Sequence, residues 1–73
     1  MTTRGIELYR LNCAVIDAAV AEHRTRLNLA AVEFERRDAQ ENRMARQEHE
    51  FADRALGDAI AKYVAFIDTD AAS

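Results

Sequence analysis

The sequence predicts an all-α protein: an antiparallel two-helix hairpin, expected to pair with a second copy as a four-helix bundle. Three observations carry that expectation. From Tyr9 the residues Cys13, Ile16, Val20, His23, Leu27, Ala30 and Phe34 follow in alternating steps of four and three. A heptad spacing held that long is the pattern of a helix with an apolar seam against another helix. The chain has no proline, and Gly5 and Gly57 are its only glycines. β-hairpin turns depend on those residues, whereas the abundant Ala, Leu, Arg and Glu favour helix. Finally, the pattern breaks at Arg36-Arg37-Asp38-Ala39-Gln40-Glu41. Basic residues suit the negative end of one helix dipole and acidic residues the positive end of the next.

All 73 residues are read as a single domain. Thr2 or Thr3 can cap the first helix, whose predicted span is 5–36. Beside the seam runs a second row on this helix. It takes in Leu8 or Leu11, Val15, Ala18, the polar Glu22 and Thr25, then Leu29 and Val32. One neighbouring helix needs one stripe, so two rows suggest two neighbours. The turn is placed at 37–38, with Asp38 as cap and Glu41 at capping-box spacing. The second helix is predicted over 39–68, with a polar, fraying tail at 69–73.

Folding the chain at that turn sets Ile16 against Ile60, Val20 against Leu56, Tyr9 against Ile67 and Cys13 against Tyr63. It also brings Leu27 to His49 and Phe34 near Met44. The expected core seam is therefore Tyr9, Cys13, Ile16, Val20, Leu27, Phe34, Leu56, Ile60, Tyr63 and Ile67. The rival architecture is a single long helix in a coiled coil. In register, its seam would have to carry Arg37, Glu41, Glu48, Asp58 and Lys62.

A chain this short buries little apolar surface and usually needs a staple or a partner. With Cys13 alone, an intrachain disulfide is excluded. The net charge of −3 gives no general attraction to nucleic acid or anionic membrane. No run of apolar residues is long enough to span a bilayer, and Met1 to Gly5 does not read as a secretion signal, so a cytoplasmic location without membrane attachment is expected.

No catalytic residue and no cofactor is predicted. His23 and His49, with Asp53, are the candidates for a metal site. However, Val20 and Arg46 stand where a Glu-x-x-His pair needs glutamate. A histidine hydrogen-bonded to Asp53 or to a partner chain is the simpler expectation. Cys13 reads as a small buried apolar residue. The functional expectation is a non-enzymatic protein–protein interaction module: an adaptor, inhibitor or regulatory subunit acting as a homodimer. Its contact residues for an unidentified protein partner are taken as those outside the seam: Leu29, Val32, Phe51 and Phe66, with Arg36, Arg37 and Arg43 near the turn. Those arginines also allow a dimeric nucleic-acid-binding regulator, although Glu33, Glu35, Asp38 and Glu41 offset most of their charge. A helical co-chaperone or phage-encoded inhibitor has the same shape.

Overall fold

The computed structural model describes residues 2–72, with side chains described through Thr69. Two helices make up the fold: α1, Thr3–Phe34, and α2, Ala39–Ala72. They lie side by side, giving a molecule of 53 × 20 × 14 Å. An unbroken helix of this length would extend about 100 Å at 1.5 Å per residue, so the hairpin stands and the rod does not.

Local chemistry fixes the helix ends. Thr2 is extended, and its side chain accepts a hydrogen bond from the Gly5 backbone N–H at 3.1 Å. That starts α1 two residues earlier than the sequence suggests. At its other end α1 stops at Phe34. Glu35 is still right-handed, and Arg36 takes the left-handed conformation at φ 54°. A glycine ordinarily occupies such a position, and the chain has none here. The Arg37 N–H then donates to the Val32 carbonyl at 3.2 Å, closing the turn. Asp38 caps α2, its Oδ1 accepting from the Glu41 N–H at 2.8 Å. Asn42 Nδ2 ties the turn down by donating to the Arg37 and Asp38 carbonyls at 2.8 and 3.2 Å. The helix continues through 69–72, where fraying was expected, and Ser73 lies outside the described residues.

A side chain with a Cβ is strained at a left-handed position by roughly 1–2 kcal/mol. Arg36→Gly removes that strain, at the cost of a more flexible unfolded chain. The variant is expected to be more stable by up to about 1 kcal/mol. A urea midpoint that does not rise would show that Arg36 makes compensating contacts.

The helices do not meet along the expected seam. The row turned toward α2 is the second one: Leu8, Leu11, Val15, Ala18, Glu22, Thr25, Leu29 and Val32 are all buried or half-buried. On α2 the matching row is Asn42, Ala45, His49, Ala52, Leu56, Ala59, Tyr63 and Phe66. Of the predicted seam, Leu56 and Tyr63 lie between the helices and Cys13 is half-buried. Tyr9, Ile16, Val20, Leu27, Phe34, Ile60 and Ile67 are exposed. The reason is volume. Alanines at 18, 45, 52 and 59 let the backbones approach closely, which a seam of Tyr, Ile, Leu and Phe would prevent. Among the described residues, the buried apolar side chains are Val32, Ala45 and Ala52, and none is wholly sealed from solvent. That is a thin core, and large apolar residues are left outside it.

Candidate functional site

Two features stand apart from an ordinary solvated hairpin. The first is polar and internal. Glu22 is 6% exposed, the one buried charged residue among those described. It sits halfway along α1, where the inner rows have His49 opposite. The Glu22 carboxylate accepts a hydrogen bond from Arg26, one helical turn on, and lies 3.2 Å from His49 Nε2. A carboxylate only accepts, so this His49 nitrogen carries the proton. The hydrogen bond with His49 is the largest influence holding the Glu22 carboxyl below its ordinary value; burial opposes it, and the Arg26 hydrogen bond and charge reinforce it. Thr25 Oγ1, beside this group, donates back to the Ala21 and Glu22 carbonyls at 3.0 Å.

This corrects the expectation for the histidines. His49 bonds Glu22 rather than Asp53, and His23 and Asp53 are both exposed. Among the described residues, no three or more His, Cys, Asp or Glu converge as metal ligands would. The sequence did carry a signal for the pair: a glutamate and a histidine interrupt the two inner rows near the same level.

The second feature is the surface of α1. Ile6, Tyr9, Ile16, Val20, Leu27 and Phe34 are exposed, Ile16 at 60% and Phe34 at 88%. From Tyr9 onward, with Cys13, His23 and Ala30, they form the heptad row recognised in the sequence, now seen to face away from α2. At 3.6 residues per turn this outer row lies about 150° around α1 from the inner one. Half-buried Cys13 hydrogen-bonds Tyr9, which raises the phenol above its ordinary value. Exposed apolar residues are fewer on α2: Ile60, Val64 and Ile67 toward the termini, Met44 and Phe51 toward the turn. Phe51 is 75% exposed and borders an apolar groove of about 470 Å³, with Ala21, Thr25, Gln47, Ala52 and Ala55.

The residues expected to contact a partner are placed unevenly. Val32, 3% exposed, and half-buried Leu29 lie on the row turned toward α2 rather than on an open surface. Phe66 is half-buried, with the Arg4 guanidinium 5.3 Å from its ring centre. Phe51 alone of the four is open. Near the turn, Arg37 bonds Glu35 at 2.7 Å and lies 3.8 Å from Glu41, and Arg46 lies 3.7 Å from Glu33. Arg36 and Arg43 are exposed. Glutamates thus neutralise much of this end, which is not the unopposed basic face that phosphate contacts require.

No helix among the described residues is long and apolar enough to cross a membrane. No protein-family model matches the chain, and no curated protein or solved structure is detectably similar to it. What the protein does has to be read from its own residues.

Proposed function

We propose that this chain is a non-enzymatic protein–protein interaction module that works as a homodimeric helical hairpin, with the outer row of α1 as its dimer face. The carrying observation is that α1 is apolar on two faces and α2 covers only one. Surface area supports the reading. A compact monomer of 8.2 kDa exposes about 4,500 Å², whereas this one exposes 5749 Å². The excess is comparable to the roughly 800 Å² per partner that a stable interface buries. Such a module suits an adaptor or regulatory subunit. Its free Cys13 suits a reducing compartment such as the cytoplasm.

Sedimentation equilibrium tests the proposal. A dimer at micromolar concentration is expected, and a stable monomer there would end the reading. A second surface serves as control. Phe51 stands on the opposite flank from the outer row, beside its own groove. Phe51→Ala is therefore expected to leave the dimer mass unchanged and stability within about 0.5 kcal/mol, as for an exposed helical site. Loss of the dimer in this variant would move the interface to the groove.

A further inference from the structure

We infer that the second copy lies antiparallel on the first, with the two-fold axis between Val20 and His23 and one register selected by charge. This rests on the homodimer proposed above and specifies its geometry. In an antiparallel pair of helices, side chains from the two kinds of heptad position oppose each other in layers. Along the outer row this gives four layers, each occurring twice. Phe34 meets the partner's Tyr9, Leu27 its Ile16, Val20 its His23, and Cys13 its Ala30. The large aromatics close the ends, and the small Ala30 leaves room for Cys13.

The flanking charges decide among the alternatives. Asp17 and Arg24 are both exposed, each following a row residue by one position. In the stated register Asp17 of each copy lies beside Arg24 of the other, two opposite-charge pairs about the axis. Sliding by one heptad brings Arg10 beside Arg24 twice and Asp17 beside Asp17, and strands Phe34. A parallel arrangement sets every residue against itself, Tyr9 on Tyr9 and His23 on His23, and leaves Asp17 without a cation across the seam. Because the two apolar faces of α1 are about 150° apart, the α1 helices occupy the middle, flanked by the two α2 helices. A square bundle would need those faces nearer to 90°.

Cysteine cross-linking tests this directly. In the antiparallel dimer the two Cys13 residues are about 25 Å apart along the axis, beyond reach of a disulfide, which needs Cα atoms within roughly 7 Å. Cys13 and position 30 of the partner share a layer. Under copper-phenanthroline oxidation, Ala30→Cys with Cys13 retained is expected to give mostly covalent dimer on non-reducing gels. The native chain and the Cys13→Ser/Ala30→Cys variant are expected to stay uncrosslinked. Cross-linking of either single-cysteine protein would establish a parallel pair. Cross-linking of His23→Cys with Cys13, in place of Ala30→Cys, would establish the shifted register. No cross-link in any variant that still sediments as a dimer would show that another face is used. Each of these overturns the inference while keeping the dimer. A native chain that sediments as a monomer removes the parent proposal instead.

Discussion

Replacing Ile16 by glutamate is expected to weaken the proposed dimer by about two to four orders of magnitude while leaving the hairpin helical. Ile16 is 60% exposed on the isolated hairpin, so the change removes little from the contact between α1 and α2. Glutamate is also a good helix former, and α1 keeps its local preference. The interface loses far more. Burying an isoleucine is worth roughly 1.5–3 kcal/mol, and two-fold symmetry counts the loss twice. That sum, about 3–6 kcal/mol, corresponds to a rise in Kd of some 10²–10⁴. The cost of drying a carboxylate against Leu27 of the partner adds to it. Sedimentation equilibrium reads the Kd, and far-UV circular dichroism reads the helix. An Ile16→Glu protein that associates as tightly as the native chain would show that the outer row is not the interface.

The same residue marks the boundary of what could be read without coordinates. The hairpin, its turn and the Asp38 cap were legible, because they follow from local preferences: helix-forming composition, a charge reversal and a capping aspartate. The outer row of α1 was also legible as a row. Its partner was not. Heptad spacing says which residues share a face, and hydrophobicity says that the face wants cover, but neither says which of two rows the nearest helix will take. Here the choice follows size and polar matching. Ala18, Ala45, Ala52 and Ala59 permit a close approach, and Glu22 finds His49 across the gap. A ranking by hydrophobicity puts Ile16 and Leu27 inside and leaves Glu22 out, the reverse of what is seen. The same ranking sends Leu29 and Val32 to a partner, whereas they lie on the row that faces α2. Arg36 was legible as part of the break, but not its left-handed conformation, because such a residue without glycine leaves no mark in the sequence.

Glu22 is the other position where one substitution should have a large effect, and pH exposes it. Its carboxyl titrates below the ordinary glutamate value in the folded state, chiefly through the hydrogen bond from His49. A lowered folded-state value means that the unfolded chain takes up the proton first. The stabilisation is therefore complete above the ordinary value, about 4.3. It is lost progressively as pH falls through the lowered one. Glu22→Gln keeps shape and acceptor oxygen but cannot titrate. It is expected to unfold at lower urea than the native residue at pH 7, and the two midpoints should converge as pH falls well below 4. Exposed pairs such as Arg37–Glu35 and Arg46–Glu33 are common to both proteins and contribute little, so the difference isolates the buried group. Because Glu22 lies on the inner row, the convergence should persist with Ile16→Glu present in both proteins. Parallel midpoints from pH 7 to 3 would mean that burial cancels what His49 and Arg26 contribute. The pair would then favour this hairpin register without adding net stability, since a shift of one helix by a turn leaves a charged carboxylate buried and alone.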